Sequence, residues 1–269
     1  CIPTNTITVS ESITDIGGST PTLTLIPATI PSPAPYFPTP PDRDLYALSS
    51  ALTAQHQDPI PQVVNLNPVT LQEGHQDIFT VLDVINTNVY PIKSTLRLVT
   101  PHAYWYVEED LSISFDNLKY AAKTFEENIY PKVTQIFGTE SNPGIDNDPH
   151  LTILHARLRG VAGYYSSVDE YPREVRPYSN EREMIYINVS ALKIGSEPYL
   201  ATLAHELQHA AHWIADPSEV TWVQEGLAQI AETVVGYQPH SLKSFYRSPT
   251  ISFLQWPLDT ENSAPYYGG

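Results

Sequence analysis

Cysteine occurs once in these 269 residues, at position 1, and methionine occurs once. A single thiol closes no intrachain disulfide and builds no cysteine cluster, so any metal site must draw on nitrogen and oxygen ligands. Basic residues are also scarce: 14 Lys and Arg stand against 30 Asp and Glu, a formal net charge of -16. That balance repels phosphate backbones and anionic lipid and excludes nucleic acid as an expected partner. No apolar run is long enough to span a bilayer.

What is plentiful is proline (25) and tyrosine (17), within a hydrophobic content of 41% that is ample for a core. Residues 1–42 are rich in Thr, Ser and Pro, including the run Pro31-Ser32-Pro33-Ala34-Pro35. Such a segment buries too little apolar surface to fold and favours extended polyproline-II, so a disordered tether is expected there. Its Cys1 followed by a polar leader resembles a mature bacterial lipoprotein, whose first cysteine carries lipid. That resemblance implies an extracellular or cell-surface protein with membrane attachment through Cys1; the alternative is an incidental terminal cysteine.

Residues 43–107 read as a β-rich region opened by a short helix over 43–55. Three β-branched, turn-bounded stretches follow, at 76–84, 93–100 and 102–107. From Ser114 to Phe137 apolar residues at three- and four-residue steps predict an amphipathic helix ended by Gly138. Strands are expected at 151–155 and 183–189, separated by the stretch 160–167 that contains Gly163, Tyr164 and Tyr165. The loop Gly144-Ile-Asp-Asn-Asp-Pro could hold calcium through oxygen ligands, but the distal Glu of the twelve-residue calcium loop is absent and a plain turn is the simpler reading.

The chemistry concentrates between Ser196 and Tyr237. Ser196 as N-cap, with Glu197 and Pro198 in the first turn, predicts a helix to Ala215, stopped by Asp216-Pro217. Leu200, Leu203, Leu207, Ala210, Ala211 and Ile214 mark an apolar face. His205 is rotated from Leu203 by about 200°, so His205 and His209 share the opposite face, one turn apart. In His205-Glu-Leu-Gln-His209 the two imidazoles can converge on one zinc ion. Glu206, beside them, can reach the water that the metal activates without ligating the ion. His212 lies on the same face but about 10.5 Å along the axis from His205, too far to close a site with ligand distances of about 2 Å; it reads as a pocket-rim or capping residue. Better third ligands lie on the next helix, where Glu225, Gln229 and Glu232 share a face, and Glu225 is preferred.

The pairing of H-E-L-Q-H with a downstream W-V-Q-E-G-L-A (Trp222 to Ala228) resembles the gluzincin metallopeptidases, a group that includes the thermolysin and aminopeptidase N types. It is closest to the hyicolysin-like bacterial family, with its H-E-x-Q-H and W-x-x-E-G-L-A pairing. The resemblance implies that Glu225 is the third zinc ligand and that Trp222 and Gly226 shape the start and packing of its helix. Gln229 stands where thermolysin-like enzymes have an aspartate that orients a ligand histidine, so that part does not carry over. An exposed edge strand implied for the cleft floor falls on Gly160 to Tyr165, with Gly163 and Tyr164 as its substrate-facing residues, and an oxyanion donor is expected from Tyr266 or Tyr267, with His240 and Tyr237 as further options.

The expected whole is therefore α+β. A zincin-like metallopeptidase fold (mixed sheet plus active-site helix) would occupy 108–269, truncated at its C-terminus, after the tether 1–42 and the β-rich region 43–107. The expected activity is that of a monomeric zinc metalloendopeptidase acting on protein or peptide substrates. Two alternatives stay open: a surface binding module with non-catalytic zinc, and an aminopeptidase, although no G-x-M-E-N-type segment is present.

Overall fold

The computed structural model describes residues 44–52 and 59–238. Cys1 and the tether, His240, and Tyr266 and Tyr267 all lie outside the described residues. The fold is α+β. One six-stranded mixed sheet has the order β1-β2-β3-β4-β6-β5. The strands are β1 (Gln76–Asp83), β2 (Asn88–Val99), β3 (Ala103–Glu108), β4 (Leu151–Ala156), β5 (Gly163–Tyr165) and β6 (Met184–Asn188). The first three form an antiparallel meander, β3, β4 and β6 run parallel, and β5 returns antiparallel on β6.

The helices are α1 (Leu45–Leu52), α2 (Phe115–Thr124), α3 (Tyr130–Phe137), α4 (Glu197–Ala215) and α5 (Thr221–Val234). Ser114 caps α2 by accepting the Asn117 amide, as the sequence suggests. The helix expected from Ser114 to Phe137 is not uniform. A π-helical stretch, Phe125–Ile129, separates α2 from α3 and buries both of its end residues. The boundary placed at 107/108 falls within β3, which pairs with β4, so strands from the β-rich region and from the region after it share one sheet.

Alternation along the strands divides the core in two. On one face Trp105, Val107, Ile153, Ile185 and Ile187 pack with Leu118, Phe125, Leu200, Leu203 and Leu207 from the helices. On the other, Phe79, Val81, Leu96, Tyr104, Tyr106, Leu154 and Tyr186 form a second cluster. Every residue of β4 and of β6 is buried, as expected of parallel strands covered on both faces. The sheet curls far enough for its first strand to meet groups near its last. The Thr80 amide donates to Asn180 Oδ1 at 2.8 Å, and the Leu82 amide donates to the Tyr164 hydroxyl at 3.1 Å. These bonds satisfy edge amides that would otherwise offer a template for aggregation.

His155, wholly buried on β4, joins the sheet to α4. Its Nδ1 lies 2.9 Å from the Tyr106 carbonyl and its Nε2 2.6 Å from the Tyr199 hydroxyl, so a neutral ring donates to the first and accepts from the second. Burial pushes its pKa down to about 4. The folded state therefore resists a proton that the unfolded chain accepts near pH 6.5, so this contribution to stability is present above pH 6.5 and lost as pH falls toward 4. In denaturant titrations between pH 7 and 4.5, His155→Gln should lose stability less steeply than the wild type, the difference approaching about 1.4 kcal/mol per pH unit. Parallel slopes would show that the ring is not held neutral.

Candidate metal centre

The segment that delivers α4 to the sheet turns at Gly195, whose φ of +80° is a conformation that glycine adopts without strain. Ser196 occupies the N-cap in extended backbone and its carbonyl accepts the Leu200 amide, although its hydroxyl makes no capping bond. The apolar face runs as expected through Ala211 but not to Ile214, which is half exposed. The histidine face is covered in part by α5, which buries His205 and leaves His209 half-buried. His205, Glu206, Glu225 and Glu232 are all less than one-tenth exposed.

The packing brings the sequence-expected ligands together. Nε2 of His205 lies 3.3 Å from one Glu225 oxygen, and Nε2 of His209 lies 3.7 Å from the other. One ligand atom from each of His205, His209 and Glu225 falls within 4.8 Å of the others, and these three could hold a metal ion. The His205 ring is also held from behind, with Nδ1 2.8 Å from Glu232 Oε1. Gln229, one turn after Glu225, leaves the orienting position of the family pattern without a carboxylate; Glu232, two turns after it, supplies one. A carboxylate on the far nitrogen of a ligand histidine fixes the tautomer and raises ligand basicity.

Electrostatics at the site follow from this burial. Burial disfavours a charged His205, yet hydrogen bonds to Glu225 and Glu232 outweigh it and raise its pKa to about 10. A proton there balances carboxylates that a cation would otherwise balance. Burial, reinforced by the charge on His205, lowers His209 to about 4 and keeps its ring neutral. The Glu206 carboxyl is pushed up to about 7 by burial, against the pull of His205.

Glu206 does not face the three ligands alone. Its carboxylate accepts the backbone amide of Tyr165 on β5. The Asn188 amide bonds the Ala162 carbonyl, and β5 pairs with β6 in the register Gly163↔Ile187, so the backbone groups of Gly163 and Tyr165 point to the open edge of the sheet. A Cβ on Gly163 would stand 2.8 Å from Thr202 Cγ2 and 3.3 Å from Glu206 Oε1, so only glycine lets β5 approach α4 this closely. Tyr164 and Tyr165 project to opposite faces. Tyr164 stacks on Tyr186, ring centroids 4.1 Å apart, away from the metal ligands. Tyr165 instead lines an open cleft of about 320 Å³ with Ser167, His209, His212, Trp213, Gln224 and Glu225. His212 is thus at the pocket wall, and Tyr237 packs against the core.

A second group of acids lies behind Tyr165. The Tyr165 hydroxyl donates to Glu170 Oε1 at 3.0 Å. Burial, and the proximity of the two carboxyls to each other, raise Glu170 and Glu183 above the ordinary carboxylate range. The loop considered for calcium spends its carboxylates internally: Asp148 accepts from Tyr104 and from the His150 amide, while Asp146 accepts the Asp148 amide. Among the described residues its carboxylates do not join a converging group of three ligands.

No family model matches the chain, and no curated protein matches it. The likeness to gluzincins therefore rests on the motif residues themselves. Sequence reasoning named Glu232 only as sharing a face with Glu225. It placed Tyr165 only at the end of the expected edge strand, and it passed over Ser167, Trp213 and Gln224 as cleft residues. If Glu232 orients His205, Glu232→Gln should weaken divalent-metal affinity by about 10–100-fold, and Glu225→Ala should weaken it further. Competition with a chromophoric chelator measures both, with circular dichroism confirming the fold; unchanged affinity in Glu232→Gln would remove its role.

Proposed function

We propose that this protein is a zinc-dependent metalloendopeptidase of gluzincin type with a zincin-like fold, acting on proteins or peptides outside the cell. The observation that carries the reading is the convergence of His205, His209 and Glu225 beside Glu206 at the open edge of β5. Two imidazole nitrogens and one carboxylate oxygen form a ligand set that zinc favours in catalytic sites, where a fourth position stays open. Zinc held there supplies a Lewis acid that stabilises negative charge building on the scissile carbonyl oxygen.

The chain's own residues account for the rest. Glu206 removes the proton of the attacking water and passes it to the leaving amine. Glu232 holds the His205 ring so that Nε2 faces the ligand cluster. With the Tyr165 amide taken by Glu206, the Gly163 amide and carbonyl and the Tyr165 carbonyl offer an extended peptide backbone partners along the sheet edge.

Glu206→Gln preserves shape and removes the base. Zinc content should stay at the wild-type level while cleavage of a denatured protein substrate falls by about 10²–10⁴-fold; an active variant would sink the reading. Gly163→Ala should displace β5 from α4 and cut kcat/KM by roughly tenfold or more at equal zinc content. Peptides with blocked amino termini should be cleaved as readily as free ones, and a strict need for a free amine would redirect the assignment to an aminopeptidase.

A further inference from the structure

The cleft beside the metal ligands carries a second message. Among the described residues it is lined by the aromatic residues Tyr165, Trp213 and His212 and by the polar residues Ser167 and Gln224, beside His209 and Glu225. The Gln224 Nε2 donates to the Glu219 carbonyl at 2.7 Å, which leaves Oε1 as the amide's accepting end. Among the described residues, no Lys or Arg lines the cleft. Trp213 is held edge-on against Tyr171, ring centroids 6.3 Å apart, and Tyr171 already carries the Arg176 guanidinium 5.8 Å from its own ring centre.

We infer that this cleft is a specificity pocket for a long basic side chain of the substrate, arginine above all. The inference rests on the peptidase reading and names the substrate class of that same site. A guanidinium is flat, stacks on aromatic faces and brings five donors to acceptors such as Gln224 Oε1 and the Ser167 hydroxyl. An aromatic or aliphatic side chain would fill the space but cover those polar groups without bonding them. An acidic one would enter against a net charge of -16. The same net charge draws basic polypeptides toward the protein.

The test uses the zinc-loaded full chain and a matched peptide series that differs only at the residues flanking the cut, with Arg, Lys, norleucine, Phe or Glu. At one flanking position Arg should exceed norleucine in kcat/KM by about tenfold, with Glu the poorest. Trp213→Leu and, separately, Gln224→Leu should each bring the Arg-to-norleucine ratio down several-fold at unchanged zinc content. The second variant leaves the Trp213–Tyr171 contact in place should the first disturb packing. A preference for Phe or norleucine, or a ratio unchanged in both variants, overturns the pocket while leaving the peptidase reading intact. The same peptides are also titrated by fluorescence anisotropy onto zinc-loaded Glu206→Gln. If the wild type cleaves none of them, tighter binding of Arg peptides that is lost in Glu206→Gln/Trp213→Leu upholds the pocket and fails hydrolysis. Equal binding of all peptides sinks the pocket.

Discussion

Four ionisable side chains, His205, Glu206, Glu225 and Glu232, are buried where α5 crosses α4, and so much buried charge is tolerable only if the charges compensate one another. The crossing solves this by interleaving. His205 lies between Glu225 and Glu232, and His209 faces the other oxygen of Glu225. A proton on His205, or a cation among the three ligands, balances the carboxylates. The arrangement gives the interface between these helices a group that could hold a metal ion, and it makes the integrity of that group depend on helix packing.

The sheet supplies what the helices lack. β5 is only three residues long, yet it is held from both sides: Tyr164 reaches the amide of Leu82 on β1, and Tyr165 gives its amide to Glu206 and its hydroxyl to Glu170. The curl of the sheet that satisfies the β1 edge thus also fixes the strand beside Glu206. The side chains of two neighbouring tyrosines divide the labour, one facing the second core and one the cleft, because successive residues of a strand face opposite ways.

Much of the framework was legible in the sequence because it depends on short-range periodicity. β1, β3, β4, β6, α2 and α4 fall close to where alternation or 3.6-residue spacing places them. The π-helical stretch did not show, since Phe125, Ile129 and Tyr130 read equally well as an uninterrupted helical stripe until packing decides the turn. Nor did the sharing of one sheet by 76–108 and 151–188: pairing β3 with β4 joins strands that lie on either side of α2 and α3, a long-range choice that local pattern does not encode.

At the site, the sequence by itself determined that His205 and His209 share a helix face with Glu206 beside them, because helical repeat alone sets that geometry. Glu225 could be named because its motif sits on the helix that follows. Tertiary structure decided that Glu232, and not a residue at the Gln229 position, holds His205, and that Tyr165, and not Tyr164, faces the cleft. Both outcomes hinge on relations between elements: the crossing of α5 over α4 and the register of β5 on β6. Side chains of identical local pattern point to different neighbours until those relations are set.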